Sequence, residues 1–209
     1  MRKTAGEAVP KRILDLCISA LGLVLLGPLM LILSVWIRLD SRGPVLYRGE
    51  RVGKDGRPFQ MYKFRTMVLE ADSIGPAVTY RDDPRITRAG KFLRRTKLDE
   101  LPQLINVLKG EMSLVGPRPE DPSYVAHYDA QQREVLRVKP GITGLTQLEY
   151  RDEASMLEGA GTDEKYLSWI MPEKLKLDLH YVQNRSLALD VKILWQTAIT
   201  LLFRDRRVV

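Results

Sequence analysis

The chain has 209 residues, a formal net charge of +7, one cysteine and two histidines. Its length suits one compact domain beside an N-terminal apolar segment, and its charge favours an anionic partner such as nucleic acid, acidic lipid headgroups or a diphosphate. The single cysteine, Cys17, excludes an intrachain disulfide. Because no Cys or His residues are paired at ligand spacing, the sequence argues against a structural zinc site or a serine–histidine pair. We expect exposure to the cytoplasm, and any metal would need oxygen ligands.

The N-terminal segment carries no charge from Leu16 to Ile37, which is long enough for a membrane-spanning helix. Gly27-Pro28 lies at its centre, where proline breaks or kinks a helix, so the pattern predicts two half-helices. Basic residues flank both ends and draw both toward the cytoplasmic face: Arg2, Lys3, Lys11, Arg12, Arg38 and Arg42. A re-entrant hairpin over residues 1–42 would keep both basic flanks on the cytoplasmic face. A kinked membrane span is an equal alternative.

A β-hairpin is predicted next, with strands at Val45–Arg48 and Phe59–Phe64 around an Asp-Gly turn signal. Two-residue periodicity would place Lys63 and Arg65 on one strand face, where they offer paired cations to an anion. A solvated strand face is the alternative interpretation.

The remaining elements follow from helical periodicity and from glycine or proline breaks. Residues 70–88 are predicted to be a surface loop, and residues 153–163 a mobile stretch. Helices are predicted from the apolar spacing over 101–108, ended by Gly110, and from Pro172 to about Val182. The last helix has an apolar stripe that either packs on the domain or lies in the membrane interface: Val191, Leu194, Trp195, Ala198, Leu201 and Leu202. The expected fold class is α+β, predominantly α-helical, with a small hairpin and amphipathic interfacial helices.

Two adjacent carboxylates, Asp99 and Glu100, precede the helix that contains Pro102. One interpretation is a helix N-terminus, where carboxylates accept first-turn amide protons. The other is a phosphate site, in which a stabilised aspartate acts as a nucleophile toward phosphorus.

Attack on a diphosphate requires cations, and the chain offers candidates. Arg94 lies about one turn before Asp99, and Pro117 and Pro119 restrict the backbone around Arg118. A restricted guanidinium loses less entropy when it grips phosphate oxygens, although a rigid loop with a solvated arginine explains the motif equally well. A magnesium ion with oxygen ligands would serve the same purpose.

Five motifs carry a resemblance: Lys63–Met67, Leu98–Leu104, Asn106–Ser113, Gly116–Pro119 and Pro140–Gly144. With the proline-broken apolar helix, they resemble the bacterial sugar transferases known as monotopic polyprenyl-phosphate phosphoglycosyl transferases, in the order and spacing of that family. The resemblance covers nearly the whole chain. It departs from the family's frequent Ser-Pro at the helix break, where this chain has Gly27-Pro28.

The resemblance implies transfer of a sugar 1-phosphate from a UDP-sugar to a polyprenyl phosphate such as undecaprenyl phosphate, with release of UMP. This reaction initiates membrane glycan assembly, for example of exopolysaccharide, O-antigen or glycoprotein. It further implies a catalytic domain over residues 43–209 at the cytoplasmic face of the bacterial inner membrane, and a minimal catalytic form without the additional spans of longer relatives. A homodimer is left open, and no nucleic-acid partner is expected.

The resemblance also assigns roles to residues. Asp99 would attack the β-phosphate and form a covalent phosphosugar intermediate, and Glu100 would support the magnesium site together with Asp99. Residues Arg94 and Arg118 match phosphate-binding positions. Lys63 matches a basic position and Asp190 an acidic one, both with less certain roles.

The sugar pocket is expected to involve Gln147 and Arg151. Two non-enzymatic hypotheses are a basic membrane adaptor for anionic lipid or nucleic acid, and a transmembrane protein whose basic domain faces the exterior.

Overall fold

The computed structural model describes residues 5–75, 79–80, 82–151, 153–157 and 162–203. In these ranges the chain is mostly helical, with α1 Ala5–Asp40, α2 Arg88–Thr96, α3 Gln103–Lys109, α4 Pro122–Val125, α5 Leu145–Glu149, α6 Thr162–Lys165, α7 Met171–Asn184 and α8 Leu187–Leu202. The strands are β1 Leu46–Val52, β2 Pro58–Phe64, β3 Ser113–Val115 and β4 Gly141–Thr143. The α+β class with helices predominant is thereby confirmed.

Helix α1 is 36 residues long and stays helical through Pro10 and Pro28. The predicted half-helices therefore do not appear as two separate elements. By length and composition, its stretch from Val9 to Asp40 is apolar enough to cross a membrane. Much of its apolar surface is exposed, with Val24 and Leu31 more than two-thirds accessible, so this face has no protein partner within the described chain.

Polar contacts attach the N-terminal end of α1 to the domain. Lys11 Nζ donates to Asp190 Oδ2 at 2.6 Å and to the Val115 carbonyl at 3.0 Å. Arg12 donates to the carbonyls of Val107 and Leu108 at the end of α3, where the helix dipole favours a cation. Asp190 therefore binds the base of α1, and it does not line the cavity described below.

The C-terminal end of α1 packs on the same domain. Leu33 and Ile37 are buried in a cluster with Phe64 and Leu93. The Asp40 carboxylate accepts the backbone N–H of Ala89 in the first turn of α2, at 3.0 Å. Both ends of the apolar helix are thus bound to one folded body.

The predicted hairpin is confirmed. Strands β1 and β2 pair antiparallel from Leu46↔Phe64 to Val52↔Pro58, and Asp55 and Gly56 adopt positive φ in the turn. Buried Asn106 of α3 accepts the Tyr62 N–H and donates to the Gln60 carbonyl, so it locks the helix to the hairpin.

The predicted surface loop over 70–88 is partly wrong. Asp83 and Arg85 are buried and form an ion pair at 2.7 Å, and Arg85 also donates to the Ala71 carbonyl. Mutual pairing allows these charged side chains to leave water, which the polar composition alone did not reveal. Pro76 lies outside the described residues.

The two predicted C-terminal helices are confirmed as α7 and α8. In α8, Ile193 is fully buried, whereas Val191, Trp195 and Leu201 are 52%, 67% and 48% exposed. Most of the predicted apolar stripe therefore faces away from the domain, so packing against the domain does not account for it.

Candidate active site

Asp99 and Glu100 lie in a 3-10 turn, Leu98–Glu100, between α2 and α3. Helix α3 begins at Gln103, and no side chain caps it. The Glu100 N–H donates to the Lys97 carbonyl, and the Leu101 N–H donates to the Leu98 carbonyl. These bonds within the turn occupy amides that a capping side chain would otherwise satisfy. The helix-cap interpretation is therefore wrong, and both carboxylates are free for other contacts.

Glu100 is held by two cations. Its Oε1 lies 3.1 Å from Lys63 Nζ and 3.7 Å from Arg118 Nη1. Burial alone would raise the pKa of Glu100, but Lys63, Arg118 and Lys97 outweigh it and lower the pKa to about 2. The Glu100 carboxylate therefore brings a lysine of the hairpin and the arginine of the Pro117-Arg118-Pro119 loop to the same point.

Asp99 has a different environment. The residue is 7% exposed, and its Oδ1 is buried without a hydrogen-bond partner. Burial, with a further contribution from the Glu100 charge, raises the pKa of Asp99, and Lys63 opposes this. A buried carboxylate oxygen without a hydrogen bond destabilises the fold, so such atoms are rare. Where they occur, they are often found at functional sites or bind a ligand.

Close backbone packing holds the Arg118 loop in place. The Gly116 N–H donates to the Thr143 carbonyl at 3.0 Å, and the Gly141 N–H donates to the Pro117 carbonyl at 2.8 Å. A Cβ at Gly141 would lie 2.1 Å from the Gly116 nitrogen, so the two glycine-containing motifs must approach without side chains. Pro117 and Pro119 then direct Arg118 toward Glu100, whose charge, against the opposing effect of burial, raises the pKa of the guanidinium.

Arg94 reaches the site from α2. Its Nε donates to Thr66 Oγ1 at 2.8 Å. Burial lowers the pKa of Arg94, and the nearby Asp99 carboxylate opposes this effect. The structure thus brings Lys63, Arg94 and Arg118 around the Asp99–Glu100 dyad.

Three other predicted residues do not contact the dyad. Arg65 donates to the carbonyls of Ser41 and Arg42 at 2.7 Å, because β2 ends at Phe64 and the side chain turns toward the end of α1. Gln147 Nε2 donates to the Gly141 carbonyl, and its Oε1 is buried without a partner. Arg151 donates to the Thr200 carbonyl of α8 at 2.6 Å.

Sequence reasoning missed Lys97 as a site residue. It adopts the left-handed conformation, φ 60° and ψ 16°, which ends α2 and starts the turn of the dyad. Its Nζ donates to the Arg151 carbonyl at 3.2 Å. Burial lowers the pKa of Lys97 while Glu100 opposes this. Its position directly before the Leu-Asp-Glu triplet was the available signal.

A cavity of about 1500 Å³ joins these groups. Its wall includes the predicted residues Lys63, Arg65, Arg94, Asp99, Glu100, Arg118, Gln147 and Arg151. A second set of charged residues, Glu120, Glu153 and Lys174, lines the same space and had no local signal in the sequence. Within the described residues, no group of three or more His, Cys, Asp or Glu side chains is placed to hold a metal by itself.

Comparisons with known proteins identify the family of the chain. A family model described as bacterial sugar transferase matches residues 6–204. A Caulobacter vibrioides protein named UDP-glucose:undecaprenyl-phosphate glucose-1-phosphate transferase is 40% identical over 198 residues, which cover 93% of this chain and 70% of that protein. An Escherichia coli K12 protein of the same name is 41% identical over 196 residues, covering 90% and 39%.

A third relative is named putative undecaprenyl-phosphate N-acetylgalactosaminyl 1-phosphate transferase, from Bacillus subtilis. It is 45% identical over 141 residues, covering 68% of this chain and 75% of that protein. The chain spans only about two fifths of several relatives, for example 39% of a Klebsiella pneumoniae protein. Since the family model matches nearly the whole chain, the chain belongs to the bacterial sugar transferase family.

Proposed function

We propose that this protein is a phosphoglycosyl transferase that moves a sugar 1-phosphate from a UDP-sugar to a polyprenyl phosphate, such as undecaprenyl phosphate, and releases UMP. The observation that carries the proposal is the buried, unpartnered oxygen of Asp99, surrounded by cations on the wall of a large cavity. The names of the relatives supply the substrate classes.

The cations provide the site for a diphosphate. Three cations surround Glu100: Lys63, Lys97 and Arg118. Arg94 of α2 lies near Asp99. Four cations exceed the charge of two carboxylates, so the site favours an added anion. Arginine and lysine donors would orient the diphosphate and neutralise the charge that repels an attacking carboxylate.

The chemistry would proceed in two steps. A carboxylate oxygen of Asp99 attacks the β-phosphorus, an Asp–O–P bond forms, and the bond from the β-phosphorus to UMP breaks. A phosphate oxygen of the polyprenyl acceptor then attacks the same phosphorus, and the aspartyl bond breaks to restore Asp99. The electron pair leaves with UMP in the first step and with Asp99 in the second.

Asp99 suits the nucleophile better than Glu100 does. The lone pairs of Glu100 are directed at Lys63 and Arg118, which lower its basicity. Asp99 Oδ1 has no hydrogen bond to break before attack. Its raised pKa indicates a more basic and hence more nucleophilic carboxylate.

Magnesium fits the same residues. The open oxygen of Asp99 and the neighbouring Glu100 would hold the ion, and substrate phosphate oxygens would complete its shell, as is usual for this cation. When bound, magnesium would neutralise phosphate charge and act as a Lewis acid.

We further propose a monotopic position at the cytoplasmic face of the bacterial inner membrane. As a straight helix, the stretch from Lys11 to Asp40 would be about 45 Å long. Lys11 and Asp40 nevertheless bind the same domain. A re-entrant α1 places both ends on one side, whereas a span separates them. The exposed stripe of α8 would lie in the interface beside it.

Labelling tests the covalent intermediate. Incubation with a UDP-sugar labelled in the β-phosphate and without acceptor should leave label on Asp99 and release one equivalent of UMP. Asp99→Asn should lower transfer by at least about 1000-fold without changing membrane association. Asp55→Asn, in the hairpin turn outside the cavity, is the matched control.

UMP release without protein label would contradict the covalent step. Absence of magnesium-dependent UMP release with every UDP-sugar would instead favour the basic adaptor hypothesis.

A further inference from the structure

A buried ion cluster lies on the cavity wall beside Arg118. Lys174 Nζ is 3.0 Å from Glu120 Oε1 and 3.0 Å from Glu153 Oε2. Tyr166 Oη lies 2.7 Å from this ammonium and donates to Glu120 Oε1 at 2.6 Å. All four side chains line the cavity that contains the dyad.

The cluster has more acceptor capacity than its own members use. Two carboxylates face one ammonium, so the group carries a net negative charge. The Lys174 side chain is 5% exposed, but those of Glu120 and Glu153 retain 15% and 21%. Glu120 Oε2 and Glu153 Oε1 form no hydrogen bond within the described chain, although each carboxylate can accept several.

The position of the cluster indicates which part of the donor it meets. Glu120 follows Arg118 by two residues, and both Glu153 and Glu120 contribute to the raised pKa of the Arg118 guanidinium. A net negative wall repels phosphate, so the diphosphate belongs on the opposite side of Arg118, beside Lys63 and Lys97. A neutral group rich in hydroxyls suits free carboxylate oxygens.

We propose that Glu120 and Glu153, held in place by Lys174, bind hydroxyl groups of the donor's sugar and so select which sugar 1-phosphate is transferred. The inference rests on the proposed function. A site that hydrogen-bonds a particular hydroxyl discriminates against an epimer that lacks it at that place, because the buried acceptor is then unpaired.

Sugar selectivity of isosteric variants tests this assignment. The values of kcat/KM for UMP release would be measured for Glu153→Gln and Glu120→Gln with two epimer pairs: UDP-glucose with UDP-galactose, and their N-acetyl counterparts. At least one variant should change the preference within a pair by about tenfold or more. Inhibition by UDP, which lacks the transferred sugar, should change less than about twofold. Glu173→Gln in α7, whose parent side chain is 42% exposed, should match the wild type in both respects.

Two results would overturn the inference. One is an equal loss for every sugar or an unchanged preference, and the other is a fold lost in both glutamine variants by circular dichroism; either would make the cluster structural. Tyr166→Phe, which removes a hydroxyl bonded to Glu120, should shift the same preference in a smaller degree. If the wild type releases no UMP from any UDP-sugar, the proposed function itself fails, whereas activity with unmoved preferences rejects the sugar site alone.

Discussion

Asp99 and Glu100 are adjacent in the chain, and their surroundings move their pKa values in opposite directions. Glu100 meets Lys63 and Arg118 directly, so its pKa falls to about 2 despite burial. Asp99 has no direct partner for Oδ1, and burial with the Glu100 charge raises its pKa. Two carboxylates with separated pKa values are expected where one supports the site and the other reacts.

The rate of the first half-reaction should depend on pH. In the proposed mechanism Asp99 must be ionised to attack. The rate of the first half-reaction should therefore rise with pH through the pKa of Asp99, which lies above its ordinary value of 3.8. Because the Lys63 charge lowers the pKa values of both Asp99 and Glu100, Lys63→Met should move this acidic limb to higher pH. The pH dependence of the UMP burst measures it.

The control for this experiment is Lys109→Met. Lys109 contacts Tyr62 and Glu111 outside the cavity, so its removal should leave the limb in place. A limb that stays still or moves to lower pH in Lys63→Met would argue against an ionising Asp99 as the nucleophile.

At the scale of elements, close backbone contact between α2 and the segment that follows β2 positions Arg94. A Cβ at Gly90 would lie 2.0 Å from the backbone carbonyl oxygen of Thr66. The side-chain hydroxyl of Thr66 accepts a hydrogen bond from Arg94 Nε. Thr87 caps α2 by accepting the Gly90 N–H, which fixes the helix start beside this contact. The glycine therefore controls how closely Arg94 approaches the dyad.

We predict that Gly90→Ala lowers the free energy of unfolding by about 1–3 kcal/mol, the usual cost of overpacking. It should also lower kcat/KM for UMP release by at least about tenfold, because α2 and Arg94 move together. Denaturant titration and the release assay measure the two effects.

Gly27→Ala provides the comparison, since a Cβ at that helical position meets no heavy atom within 4 Å. We expect it to keep wild-type stability or gain slightly. Wild-type stability in Gly90→Ala would show that α2 adapts and that the close contact is unimportant.

At the scale of the whole molecule, the long apolar helix α1 is bound at both ends to the rest of the folded chain. The Lys11–Asp190 ion pair connects residues 179 positions apart, and Asp40 binds the start of α2. Between these ends the outward face is apolar and exposed, as is the stripe on α8. Such a surface suits a bilayer that meets the protein along one side.

Cysteine labelling tests this topology. In a Cys17→Ser background, Val9→Cys and Leu39→Cys, whose parent side chains are 64% and 81% exposed, should both react with a membrane-impermeant maleimide in inside-out vesicles only. Both ends of a re-entrant helix lie on the cytoplasmic side, which is the reason for this expectation. Val24→Cys, at the exposed centre of the apolar run, should resist the reagent from either side. Labelling of the two ends from opposite sides would establish a span.

The sequence by itself determined the features that depend on local chemistry. Helical spacing and Gly110 located α3, and the Asp-Gly pair located the hairpin. The Asp99–Glu100 dyad and the Pro-Arg-Pro motif were recognisable from the sequence as candidate site residues. Periodicity and turn preferences act over a few residues, so a single chain reveals them.

Tertiary structure alone decided which charges meet. The dyad is part of a tight turn rather than a helix cap, Arg65 binds the end of α1, and Asp190 holds its beginning. Lys63 finds Glu100 across 37 positions, and Lys174 finds Glu120 across 54. Such pairs form only when separate elements pack against each other. The pKa values in turn depend on burial and on the charges of these distant partners, which the local sequence does not reveal.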